Sequence, residues 1–412
     1  MRGMTASIHV VSRTTRLIYT NSGRFLPQLF GRGSLASRSW ILKSRSSSPH
    51  APAQVCSVRF YSSVYNPSQS PKMPSGKGDG SKSKPATPRP SSSVILISPK
   101  NEILLLHRVQ TSTSFASAHV FPGGNLSTQD GDCPPAEDFK RHDDSPAYRR
   151  AAIRELFEES GILLAKDRVS GKMLAVGEEE RESGRRLIHQ QEISFDEWLG
   201  KLDLAAEPDI DKLIPFSRWI TPTNVPRRYT TQMYLYFLPL PVESEKQLLD
   251  AIPAEGEREE IQVPTSDGGI EVTEARFLPA TEWLRMANSG EIILFPPQFL
   301  LLHLVSEFLD KGSRAENPSA EDLAQRRSEL VEFVHSGTPP WTDKCISPKM
   351  LQMTPDGRAV LALDHPGPEL KGSDRRGESE RVVLVRFKKG AAREVEVGWK
   401  KGIMEDQRKS SL

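Results

Sequence analysis

Residues 154–162 read RELFEESGI and place three glutamates, Glu155, Glu158 and Glu159, within five positions. On a helix these are i, i+3 and i+4, so the three carboxylates share one face. Like charges at that spacing destabilise a helix unless water or a cation neutralises them. A solvated acidic face is one reading, because charge runs on helices are common. The other is a site for a hard divalent cation. Mg2+ is held by a few carboxylates together with substrate phosphates and water. Arg154 can brace the cluster, since its i+4 partner is Glu158. Upstream, SAHVFPGGN (117–125) reads as a short strand that ends in a Pro-Gly-Gly break.

The wider pattern decides between the two readings. The stretch matches R-E-U-x-E-E-x-G-U, with U aliphatic, at Arg154, Glu155, Leu156, Glu158, Glu159, Gly161 and Ile162. In this it resembles the C-terminal half of the Nudix box. The N-terminal half of that box is a glycine, five residues, then an acid. Gly124 and Asp130 stand so here, with aspartate where the family most often has glutamate. The family usually has seven residues before the arginine; here Gly131 to Ile153 makes 23. Loops take such insertions at little thermodynamic cost, because closure entropy grows only logarithmically. The segment that carries the carboxylates is intact. The segments EILLLHR, SAHVFPGGN, RWITPTNVPRRYTTQMYLYFLP, EVTEARFLPATEWL and GEIILFPPQFLLL also resemble the acyl-coenzyme A diphosphatase branch, and the resemblance covers roughly 92–310.

The resemblance implies an α/β fold, a Nudix-type α/β/α sandwich with a mixed central sheet, insertions and a C-terminal extension. It implies a hydrolase of phosphorus-containing acid anhydrides that cuts the pyrophosphate of a nucleoside diphosphate linked to another moiety, using Mg2+ or Mn2+. Glu158 and Glu159 would be metal ligands and Glu155 ligand or base, with Arg154, Glu155 and Glu158 as the catalytic group. The family recruits its general base from various places, so Glu259 and Glu260 (in an acidic run with Glu255 and Glu257) and Glu271 and Glu274 all stay open. The coenzyme A-cleaving members carry a motif before the box, of which Arg108 and FPGG, with Gly123 and Gly124, keep part. VQTSTSFASA departs from it. Coenzyme A or an acyl ester would give 3′,5′-ADP and (acyl-)4′-phosphopantetheine. NADH, ADP-ribose or a dinucleotide is the alternative, as is a Nudix-fold binding module without turnover. Arg227 and Arg228 have the forked geometry that grips phosphate, or belong to a solvated loop. Phe115, Trp219 and Tyr229 could stack on adenine, although packing is the commoner role. His119 is as readily structural.

These residues need elements to hold them. Ser145 suits an N-cap, Pro146 the first helical position and Gly161 a left-handed stop, so a helix is predicted over 146–160. VILIS (94–98) and EILLLHR read as a buried hairpin. Two strands are predicted within 218–241 and one within 270–279. The segment 170–215 reads as largely helical, with a Ser194–Glu197 capping box. Helices follow in ATEWLRMANSG and PPQFLLLHLVSEFLDKG. After about 312 the pattern weakens, and 358–367 with 381–390 read as an appended hairpin.

The chain of 412 residues, 37% hydrophobic, can bury a sizeable core. A net charge of +2 carries no field that calls for nucleic acid. Residues 1–61 contain no Asp or Glu but many Arg and Ser, the composition of a targeting presequence. Residues 62–92, rich in Ser, Pro, Gly and Lys, read as a disordered linker. That leaves 93–310 for the hydrolase domain and 311–412 for an extension with a hairpin and disordered tail. The mitochondrial matrix is the expected location, with peroxisome the alternative because SSL at 410–412 is a weak variant of a peroxisomal address. Only three cysteines occur, with no CxxC pair, so neither zinc nor disulfide scaffold is indicated. No apolar run is long enough to span a membrane. The expected partner is a small-molecule nucleotide, without nucleic acid or stable membrane insertion; oligomeric state is open.

Overall fold

The structure, a computed structural model, describes residues 85–108, 117–240, 272–311, 318–388 and 390–410. All belong to one compact unit, Gly80–Leu412. The basic segment 1–61, most of the expected linker, Phe115, Glu255, Glu257, Glu259, Glu260, Glu271 and the last two residues lie outside the described residues. In chain order the elements are β1 (Arg89–Ile97), β2 (Ile103–Arg108), β3 (His119–Val120), β4 (Gly123–Asn125), α1 (Pro146–Ser160), β5 (Ala165–Asp167), α2 (Glu178–His189), α3 (Phe195–Leu202), β6 (Ala206–Pro208), β7 (Ile214–Ile220), β8 (Tyr229–Phe237), β9 (Val272–Leu278), α4 (Ala280–Asn288), α5 (Pro296–Leu309), α6 (Ala320–His335), β10 (Cys345–Ile346), β11 (Lys349–Met353), β12 (Ala359–Leu363), β13 (Glu378–Lys388), β14 (Ala391–Trp399) and α7 (Lys400–Ser410).

The apolar run VILI lies at the end of β1 and is buried on both faces. Val94 and Leu96 join one core, Ile95 and Ile97 the other, as the two-residue period of a strand requires. A strand covered on both sides reads as a continuous apolar run rather than an alternating one. β1 is antiparallel to β2 and β4 and parallel to β8, from Arg89 opposite Tyr229 to Ile97 opposite Phe237. The mixed sheet runs β10-β7-β8-β1-β2-β3, with β4 also on β1 and β9 also on β2. α1 packs beside β1 and β4 on one face, where Tyr148, Ile153, Leu156, Phe157 and Trp198 fill the core. The other face is covered by Trp283, Leu300, Leu304, Leu330 and Val334 from α4, α5 and α6. The α/β sandwich with a mixed central sheet is therefore the observed architecture.

Three local expectations change. Residues 89–92 form the first part of β1 rather than linker. Pairing with β8 decides this, and Ser91 Oγ meets Thr231 Oγ1 at 2.6 Å. The extension contains α6 and a four-stranded antiparallel sheet, β11-β12-β13-β14, of which only the β12–β13 pair was anticipated. A helix, α7, stands in the segment read as a disordered tail. Among the described residues no helix is long and apolar enough to cross a membrane.

Candidate functional site

α1 begins where the sequence puts it. Pro146 occupies its first turn and Ser145 holds the extended N-cap backbone, although the Ser145 side chain makes no capping bond. Gly161 closes the helix at φ 73°, its N–H donating to Phe157 O at 2.8 Å. The C-terminal turns carry Glu155, Glu158 and Glu159 toward β4.

Arg154 joins the halves of the constellation. It is 4% exposed. Its Nε and Nη2 donate to the two oxygens of Asp130 at 2.8 and 2.9 Å, and Nη2 donates to Asn125 O at 3.0 Å. Its Nη1 donates to Glu155 at 2.9 Å and to Glu158 at 2.7 Å. Burial opposes the guanidinium charge, but the hydrogen bonds to Asp130 and the charges of Glu155, Asp130 and Glu158 hold its pKa above the usual arginine range. Asp130 is in turn fixed by the Ser127 N–H at 2.7 Å. The acid thus sits beside the glutamate helix in spite of the 23-residue separation.

The glycine pair has a steric reason. A Cβ on Gly123, whose φ is +154°, would fall 2.3 Å from Ser92 O. A Cβ on Gly124 would fall 2.4 Å from the Glu155 carboxylate. Only glycines let β4 lie this close to both β1 and α1. The Gly123 N–H donates to Glu159 Oε2 at 2.8 Å, and Arg108 Nη1 donates to Glu159 Oε1 at 3.3 Å. Burial, followed by the charge of Glu158 and against the pull of Arg154, pushes the Glu155 carboxyl up to about 7.

Two residues of α2 complete the surroundings. Arg185 Nε donates to Glu158 O at 2.7 Å, meeting one of the carbonyls that a helix C-terminus leaves unpaired. His189 Nδ1 lies 3.6 Å from Glu158 Oε2. Neither was legible in the sequence, because EEERESGRRLIH has the composition of any charged helix.

All three glutamates, Arg108, Arg154, Gly123 and Gly124 line a cleft of ≈ 1970 Å3. Arg227, Trp219 and Tyr229 line it as well. Arg228 does not. It is 3% exposed and spends its guanidinium on Glu369 at 2.5 Å, Thr221 O and Ala86 O. Glu274 is also outside the cleft lining and pairs with Arg276 at 2.9 Å. His119 is buried between β2 and α4, stacked on His107 and tilted against Trp283, which makes it structural. The insertion at 131–149 contributes no lining residue.

Among the described residues no group of three or more His, Cys, Asp or Glu side chains is arranged to hold a metal ion. The Arg154 guanidinium lies between Glu155 and Glu158 and binds both. The donor chemistry nevertheless suits a hard cation: every candidate ligand is a carboxylate oxygen, and the raised Glu155 pKa marks a site with more negative charge than its burial tolerates.

Comparison with known proteins follows the same line. A family model described as the NUDT19 Nudix domain matches residues 135–252. The Caenorhabditis elegans protein named nudix hydrolase 7 is 30% identical over 223 residues, covering 54% of this chain and 62% of that protein. The Xenopus laevis protein named acyl-coenzyme A diphosphatase NUDT19 is 26% identical over 249 residues, covering 50% of this chain and 60% of that protein. The chain thus spans about three fifths of the length of these curated relatives. Among solved structures, a NUDIX hydrolase from Alicyclobacillus acidocaldarius aligns over 57% of this chain and 97% of its own, at 20% identity and a TM-score of 0.41.

Proposed function

We propose that this chain, which carries the Nudix hydrolase fold, is a hydrolase that cuts the pyrophosphate of a nucleotide, with coenzyme A or its acyl esters as substrate. The observation that carries this reading is the Arg154 hub: one buried guanidinium ties Asp130, Glu155 and Glu158 into a single unit in the wall of a cleft. The named relative in the acyl-coenzyme A branch and a cleft far larger than a nucleotide needs support the finer reading. NADH, ADP-ribose and dinucleotides remain the competing substrates.

Glu158 and Glu159 are the residues that would hold Mg2+ or Mn2+, with Glu155 beside them assigned to the proton. When bound, such an ion neutralises pyrophosphate charge and activates water for attack. The chain does the rest. Arg154 fixes the orientation of Glu155 and Glu158. Arg108 and the Gly123 N–H fix Glu159. Glu155, held by Arg154 next to Glu158 in the cleft wall, is the group we assign to accept the proton of the attacking water. The water oxygen then bonds to phosphorus and the second phosphate leaves with the bridging oxygen. Arg227, which lines the same cleft, is the residue we assign to a phosphate.

The test is a turnover panel with purified protein, Mg2+ or Mn2+, and coenzyme A, dodecanoyl-coenzyme A, NADH, ADP-ribose and a dinucleoside polyphosphate. We expect 3′,5′-ADP from the coenzyme A compounds. Cleavage of NADH alone would reassign the substrate. No product from any member would leave a binding module.

A further inference from the structure

The cleft of ≈ 1970 Å3 is well beyond the roughly 300–1,000 Å3 that a drug-sized ligand fills. The glutamates occupy one part of it. Another wall comes from the chain beyond α6: Met350 on β11, Leu361 on β12 and Phe387 on β13 all line it. The strand register shows how they share a face. Met350 stands opposite Leu361, Leu361 opposite Val383, and Ala359 opposite Val385. Ala359, Val383 and Val385 belong to the main core. The apolar row therefore runs out of the core and continues into the cleft, where Met350 is still 59% and Phe387 52% exposed. Met233 and Phe295 line the same cleft from the central domain. Large apolar side chains left half-open in a concave wall that is continuous with a reaction site mark where an apolar part of the ligand lies.

We infer that the C-terminal sheet is the second wall of the substrate site, and that Met350, Leu361 and Phe387 receive an apolar chain at the end of the substrate remote from the pyrophosphate. The inference rests on the hydrolase reading for where reaction occurs, but not for the binding itself. Burial of each methylene on this wall strengthens binding about fourfold. The extension is then part of the site and sets which chain lengths are preferred.

The experiment is calorimetric titration of the full chain with coenzyme A and with dodecanoyl-coenzyme A below its micelle concentration, in EDTA so that nothing is cleaved. The wild-type protein is expected to bind the acyl ester at least tenfold more tightly. Met350→Ser with Phe387→Ser should bring the two ligands within about threefold, leave coenzyme A affinity unchanged and leave the circular dichroism unchanged. Leu351→Ser, on β11 and 39% exposed but outside the cleft, should keep the full preference. No preference in the wild type, or a preference that survives the double change, overturns the inference. A preference that persists in a protein cleaving no member of the turnover panel would remove the hydrolase reading and keep the wall.

Discussion

Arg154 carries more of the site than any of the glutamates it was expected to assist. Five oxygens, from Asp130, Asn125 on β4 and two glutamates of α1, converge on a guanidinium that is nearly out of solvent. Lysine offers a point charge without the fork. Arg154→Lys should therefore lower turnover by at least about 100-fold and cost about 3–5 kcal/mol of stability, the usual penalty for breaking a buried charge network; urea unfolding and steady-state kinetics check both. Glu155 makes a prediction of opposite sign. Its folded pKa is raised to about 7 from 4.5. The folded state thus binds the proton more tightly than the unfolded chain does. The associated stability is present below pH 4.5 and is lost as pH rises through about 7. In EDTA at pH 8, Glu155→Gln should be more stable than the wild type by on the order of 2 kcal/mol, a gap that closes toward pH 5 in thermal melts. At the same time it should be nearly inactive. A variant no more stable than wild type at pH 8 would refute the buried, surplus carboxylate.

At the scale of elements, the insertion before α1 behaves as a strap on the fold and not as a rim of the cleft. Tyr148 donates to Arg141 O at 2.6 Å, His142 Nδ1 meets Thr230 Oγ1 at 3.0 Å, Tyr234 donates to Asp144 at 2.5 Å, and Arg375 donates to Asp143 at 2.5 Å. Replacing 132–143 by a short Gly-Ser bridge should lower Tm by several degrees while leaving the ratio of kcat/KM values among substrates unchanged; a shifted ratio would show that the loop acts on the site. Burial, then Arg218, depresses His142 to about 4. Its contribution is full above its unfolded value near 6.5 and declines as pH falls toward 4, so the Tm gap between wild type and the shortened chain should narrow over that window. The sequence showed that an insertion exists, because the RELFEESGI and FPGG halves are recognisable apart. It could not show the docking, since His142 and Asp143 meet partners at 230 and 375 that no local pattern announces. β11 was illegible for a related reason: its side chains, mostly exposed, have no buried face to alternate against.

On the scale of the molecule, the last hundred residues share the core of the domain that carries the candidate site. Leu330, Val334, Trp341, Val383, Val385 and Ala392 belong to the same apolar cluster as Ile95, Ile97, Phe216 and Leu300. The helix that starts this region went unread, since the pattern weakens after about 312, although Leu323, Leu330 and Val334 are buried on one stripe behind a Ser319–Asp322 capping box. Arg327 breaks the stripe, and an arginine in an apolar row reads as surface. It is instead a buried clasp. Its guanidinium donates to Asn101 Oδ1, Leu238 O and Ser98 O, each at 2.7 Å, and burial presses its pKa down to about 10. The Asn101 amide donates to Leu323 O at 3.2 Å in return. Arg327→Met keeps the length and apolar stem but leaves three buried acceptors without a donor, each worth roughly 1–3 kcal/mol. Urea unfolding of this variant should show one transition, shifted lower by about 3 kcal/mol or more, with an unchanged slope. A chain ending at Asp310 should fail to give that cooperative transition at all, because the main core would lose the residues that α6 and the C-terminal sheet contribute, Leu330, Val334, Val383 and Val385 among them. Two separated transitions in the full-length protein, or a well-folded 1–310, would show instead that the extension is an independent domain, and would detach the apolar wall of the cleft from the folding of the site it serves.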